Sequence, residues 1–137
     1  MLQSKASMGE KELQKSLQDA TEQFQKLQKD LTKSAKAHHQ LDTQFTENTS
    51  VKEELALLEP TAKVFKQVGP VLVPQELEEA RSNVQKRLDW ITSETKRIDG
   101  VIKEQEAGLK KQGEILQKLH ATHQSVQSVS AGGDNRK

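Results

Sequence analysis

Apolar positions recur along this chain at spacings of four and three over two long stretches, and the pattern breaks once, in the middle. In the first stretch Leu13, Leu17, Ala20, Phe24, Leu27, Leu31, Leu41, Phe45 and Leu55 keep the alternation, with Ser34, His38, Asn48 and Lys52 filling its remaining steps. In the second, Leu77, Val84, Leu88, Ile91, Ile98, Ile102, Leu109, Leu116, Leu119 and Val126 keep it, with Arg81, Thr95, Gln105, Gln112 and His123 in register. This is the a/d seam of a coiled coil. Between the stretches the period changes to two. Val64, Lys66 and Val68 alternate with Phe65 and Gln67, Gly69-Pro70 is a turn signal, and Val71-Leu72-Val73 is apolar on both faces. That is a β-hairpin. Two strands cannot bury both faces or satisfy both edges in water. The flanking seams match each other and leave the sheet uncovered. Val64, Phe65, Val68, Val71, Leu72 and Val73 are therefore expected to meet strands of other chains, so the function belongs to an assembly.

The pattern predicts a mostly α single unit spanning 1–137: a helix over about 8–59, a hairpin at 62–74, a second helix over 75–126 and a disordered tail at 127–137. Ser7 with Glu10 resembles a capping box, weakened by Gly9. Pro60 ends the first helix, because the residue before a proline is pushed out of the helical region. Pro74 suits the first turn of the second helix, where Glu76, Glu78 and Glu79 face the positive end of its dipole. The stretch 46–50 is a poor helix former, yet the heptad phase runs through it and favours one continuous helix. Arms of about 50 residues joined by a reversal fold back as an antiparallel pair of about 70 Å. Leu55 then faces Leu77, Leu31 faces Ile102 and Leu13 faces Leu119, with both termini at the free tip.

Composition narrows the class. Of 137 residues, 32% are apolar and 30% charged, which suits long helices with a narrow seam rather than a globular core. The 21 basic and 20 acidic residues are interspersed, so the clustered basic face of a nucleic-acid binder is missing. No apolar run suggests a membrane span or a signal-peptide core, and the expected compartment is the cytosol, with the nucleus open. The absence of cysteine removes disulfides, thiolate zinc sites and cysteine nucleophiles.

Little chemistry remains. His38 and His39 diverge on a helix. His120 and His123 share a face without a third ligand, an incomplete metal site. Neighbouring acidic pairs such as Glu53-Glu54 do not converge, and no concave core raises a carboxyl pKa. Gly100, Gly108 and Gly113 have the wrong spacing for a phosphate loop and lie off the seam, where each costs about 1 kcal/mol of helix stability. No cofactor, metal or catalytic residue is expected. The polar seam residues fix register; Gln105 and Gln112, flanked by glycines, also read as loosening the distal half of the arms. A structural scaffold or adaptor would show the same seam, but a tether has no need of a hairpin.

The residues that carry the hairpin and its flanks resemble a known family. Val51-Lys52-Glu53-Glu54-Leu55-Ala56-Leu57-Leu58, Gly69-Pro70-Val71-Leu72-Val73, and Glu79-Ala80-Arg81 with Lys86-Arg87-Leu88-Asp89 look like the beta-type subunits of prefoldin. The likeness covers more than half the chain. Pro74, where relatives often carry Lys, and Trp90, where Tyr or Phe is common, depart from it. The resemblance implies a heterohexamer of alpha-type and beta-type subunits whose hairpins build intersubunit β-barrels. It also implies an ATP-independent co-chaperone that hands non-native clients, notably actin and tubulin, to the cytosolic group II chaperonin. Client contact is then expected at the tip, where coiled-coil ends fray, through Leu13, Leu17, Leu116 and Leu119.

Overall fold

A computed structural model describes residues 9–135, with side chains through 129. Helix α1 spans Glu10–Leu57, strands β1 and β2 span Val64–Val68 and Val71–Gln75, and helix α2 spans Leu77–Asn135. The expected capping residue Ser7 lies outside the described residues. The Gly9 carbonyl accepts the first helical bond, from the Leu13 N–H at 3.0 Å, and Glu10 and Glu12 lie at the positive end of the dipole. Helix α1 runs unbroken through 46–50. There Thr46 donates to the Asp42 carbonyl at 3.1 Å and Asn48 to the Gln44 carbonyl at 2.7 Å. Residues that usually favour turns thus satisfy their side chains against the preceding turn.

Two boundaries differ from expectation. Pro74 does not open α2: it lies in β2 opposite Phe65. The register joins Val68 to Val71 across a two-residue loop, so hydrogen-bonded pairs alternate outward from there and Phe65–Pro74 is a non-bonded pair. The missing N–H of Pro74 therefore points away from β1, and the strand accepts proline without losing a ladder bond. Among the described residues Gly69 alone carries a positive φ, 60°, the pattern of a II′ turn with glycine first. The second difference is at the far end. Instead of a disordered tail from 127, α2 continues to Asn135. No proline follows Pro74 in the chain, and extending a helix already formed costs far less than nucleating one.

The chain comprises two compact units. One is 34–101, with the hairpin; the other combines 1–33 with 102–137. In the hairpin unit Leu55, Ala80, Val84 and Leu88 form the core, and Leu41, Ile91 and Ile98 are buried further along the seam. Val64 and Leu77 are packed against that cluster, so the hairpin does rest on the helices, through the first residue of β1. In the distal unit only Leu13 and Ala20 are fully buried among the described residues. Phe24, Leu27, Leu31, Ile102, Leu109 and Leu116 are half-buried.

The hairpin end of the seam is closed by a cap in trans. Helix α1 has no basic residue in its last turn. Arg81 of α2 supplies the charge: Nε and Nη2 donate to the Leu55 carbonyl at 3.2 and 3.0 Å, and Nη2 reaches the Leu58 carbonyl at 3.4 Å. Glu78, one turn back, holds Nη1 at 2.7 Å. A residue expected only to fix register thus adds donors to carbonyls at and just past the end of α1. Arg81→Ala should lower the stability of the hairpin unit by about 1–2 kcal/mol. Lysine should recover part of that, since it keeps the charge without the planar fork. Urea unfolding followed by circular dichroism measures both; an unchanged midpoint for the alanine variant would show that water serves these carbonyls equally well.

Candidate functional site

The hairpin presents far more apolar surface than it hides. Its register places Val64, Lys66, Val68, Val71, Val73 and Gln75 on one face and Phe65, Gln67, Leu72 and Pro74 on the other. Of the six residues expected to meet other chains, Val64 is half-buried against the helices. Phe65, Val68, Val71, Leu72 and Val73 are exposed, Leu72 at 63%. They project from both faces of a two-stranded sheet whose outer edges carry unpaired backbone groups. Contiguous exposed apolar surface of this kind marks an interaction site.

In the other unit the leucines expected at the tip are covered. Leu13 is the most buried side chain, at 2% exposure, and Leu17, Leu116 and Leu119 are half-buried. Leu13, expected at a fraying tip, is covered in the closed pair. Leu13 becomes accessible only when the helices part, and the other three expose more of themselves then. The apolar groups already exposed in the distal unit include Ile115, Val126 and Val129, the last at 75%. Sequence reasoning overlooked Ile115 and Val129. Ile115 stood out only as an apolar residue off the seam, and Val129 fell in the segment expected to be disordered.

The polar seam residues divide. Gln112 donates to the Ala20 carbonyl at 3.1 Å and ties the helices together, opposite to the loosening expected of it. Gln105 carries a buried side-chain oxygen without a hydrogen-bond partner, an arrangement that costs about 1–3 kcal/mol. Gly113, expected off the seam, lies at the helix contact: a Cβ built there would stand 3.5 Å from the Phe24 ring. The distal unit therefore combines half-buried leucines, an unpaired amide oxygen and helix-weakening glycines, features of a segment that opens at low cost.

The histidine regions hold no metal cluster among the described residues. His38 instead sits between two carboxylates, Nδ1 at 3.2 Å from Asp42 and Nε2 at 2.9 Å from Asp99 on α2. A neutral imidazole has one donor and serves one of them; the imidazolium serves both. Among the described residues no helix is long and apolar enough to cross a membrane.

Prefoldin subunits share this arrangement. Residues 18–123 match the family described as Prefoldin subunit. Human prefoldin subunit 6 is 48% identical over 124 residues, covering 90% of this chain and 96% of its own length. The Arabidopsis thaliana prefoldin subunit 6 is 37% identical over 121 residues, covering 88% and 94%. Among solved structures, the prefoldin beta subunit from Thermococcus strain KS-1 aligns over 75% of this chain and 90% of its own, with a TM-score of 0.68 at 18% identity. That likeness concerns the fold: two long helices joined by a two-stranded antiparallel hairpin.

Gln105→Leu removes the unpaired oxygen and should stabilise the distal unit by about 1–3 kcal/mol. Gly113→Ala should add up to about 1 kcal/mol, because a 3.5 Å approach to the Phe24 ring is ordinary contact. Amide hydrogen exchange across 102–119 reads the local effect. Unchanged protection in both variants would show that neither residue sets the cost of opening.

Proposed function

Because the chain belongs to the prefoldin subunit family, we propose that it is the subunit of a heterohexameric, ATP-independent co-chaperone that captures non-native proteins. In this reading its hairpin enters a β-barrel shared with alpha-type and beta-type subunits. The complex receives clients such as actin and tubulin and passes them to the group II chaperonin in the cytosol, with the nucleus as a second compartment. The chain itself performs no reaction. The observation that carries the proposal is the hairpin, with Phe65, Val68, Val71, Leu72 and Val73 exposed on its two faces and no second sheet among the described residues to cover them.

Client capture is assigned to the distal unit. Non-native chains share hydrophobicity rather than a motif, so a receiving surface needs adaptable apolar area, worth roughly 25 cal/mol per Å² buried. Ile115, Val126 and Val129 offer some at once, while Leu13, Leu17, Leu116 and Leu119 offer more once the loosely held helices part.

Val71→Asp puts a charge where the neighbouring strand should lie, at a cost of several kcal/mol. The arms should stay helical by circular dichroism while the subunit elutes apart from the complex; normal co-elution counts against hairpin assembly. For the tip, Ile115, Val126 and Val129 changed together to Ser spare the buried Leu13. Complexes carrying these changes should form normally and suppress aggregation of a denatured client less well, the loss growing when Leu17, Leu116 and Leu119 are changed too. Full protection, even with matching changes in the other subunits, would place the client surface elsewhere.

A further inference from the structure

The flank of the helices beside β1 is an exposed feature of the hairpin unit that assembly through the strands leaves unused. Asn83, Arg87, Trp90, Glu94 and Arg97 follow one another on α2 at spacings of four and three, a single stripe of one helix face. Two shallow grooves lie along it. The nearer is lined by Val51 of α1, Phe65, Lys66 and Gln67 of β1, and Asn83 and Arg87 of α2. The farther is lined by Ala37, Leu41 and Gln44 of α1 and by Trp90 and Ile98 of α2. Val51 and Phe65 are exposed, and the Trp90 indole is 60% exposed.

We propose that this flank is a second contact surface for the neighbouring subunit that joins β1, and that the neighbour meets it with apolar side chains set among carboxylates. The inference rests on the assembly reading above. Three observations support it. First, size: a stable interface takes about 20–30 residues a side, and the hairpin has two strands of five. A partner seated on the strands needs further surface, and the groove continuous with β1 through Phe65, Lys66 and Gln67 supplies it. Second, charge: Lys66 and Arg87 are the charged residues lining the nearer groove, which has no carboxylate of its own. Neither forms an ion pair among the described residues. Arg97, farther along, is already taken by Glu94, whose carboxyl its side-chain hydrogen bond holds below the usual carboxylate range. The two free cations thus lie where an incoming carboxylate would be steered. Third, composition: an exposed Trp beside Arg is a side-chain pair enriched at the centres of protein interfaces.

Trp90 is the chain's single tryptophan, which makes the test direct. This subunit is produced with 5-fluorotryptophan, assembled with its unlabelled partner subunits, and followed by fluorine NMR. The Trp90 resonance should shift on assembly, and its broadening by a soluble paramagnetic agent should fall several-fold. Lys66→Glu with Arg87→Glu should weaken incorporation by about tenfold, whereas Arg87→Lys, which keeps both positive charges, should incorporate as the unaltered chain does. If Val71→Asp is excluded from the complex while the glutamate variant enters normally and assembly leaves the Trp90 broadening undiminished, the flank proposal fails and hairpin assembly stands. If Val71→Asp enters normally, the assembly reading fails and the flank proposal with it. Coverage of Trp90 only after a denatured client is added, or in the isolated subunit as its concentration rises, overturns the proposal by giving the surface to the client or to a second copy.

Discussion

Two helices that share one narrow seam have no third layer against which to settle their register, so contacts across the seam must settle it. The hairpin end supplies two of them. The Arg81 guanidinium of α2 grips the Leu55 carbonyl with two donors and reaches that of Leu58. Val64 of β1 lies against the cluster of Leu55, Ala80, Val84 and Leu88. One contact is directional and the other apolar, and together they tie the end of α1, the start of α2 and the base of the hairpin. A slip of one helical step along the seam would break both.

The two units differ in how well the same repeat is packed. Among the described residues, seven of the nine fully buried apolar residues belong to the hairpin unit, and polar seam positions there are engaged, Arg81 with carbonyls and His38 with two carboxylates. In the distal unit the leucines are half-covered and Gln105 keeps a buried oxygen without a partner. Stability is thus distributed unevenly within one repeat pattern. A rigid base suits ordered assembly, and a distal unit that opens at low cost suits contact with chains that have no fixed shape.

Much of this was legible in the sequence, because periodicity reports directly on which residues share a face. The change of period from about 3.5 to two located the hairpin, and the heptad phase carried α1 correctly through 46–50. What escaped has specific causes. Pro74 reads locally as a helix start, and only the register, set from Gly69, shows that its missing N–H points away from β1. The end of α2 was misjudged because small polar residues suggest disorder, while a helix already formed can carry them on. The Arg81 cap joins residues 26 apart in sequence, and spacing alone cannot aim a side chain across a turn. The depth of Leu13 and the approach of Gly113 to Phe24 were not legible either: a seam pattern names a face, but the partner helix decides how much of it is covered. The hairpin residues were found by their pattern; which of them is claimed by the chain itself, Val64, emerged from packing.

The position of Pro74 has a consequence for direction. Along the outer edge of β1 the backbone N–H groups of Phe65 and Gln67 both face outward, whereas along the outer edge of β2 the N–H of Leu72 does and Pro74 has none. The hairpin has one donor-complete side and one donor-poor side. An incoming strand distinguishes them before any side chain is read, and two copies meeting through their β2 edges would lack a matched ladder. The backbone itself therefore gives the hairpin a left and a right.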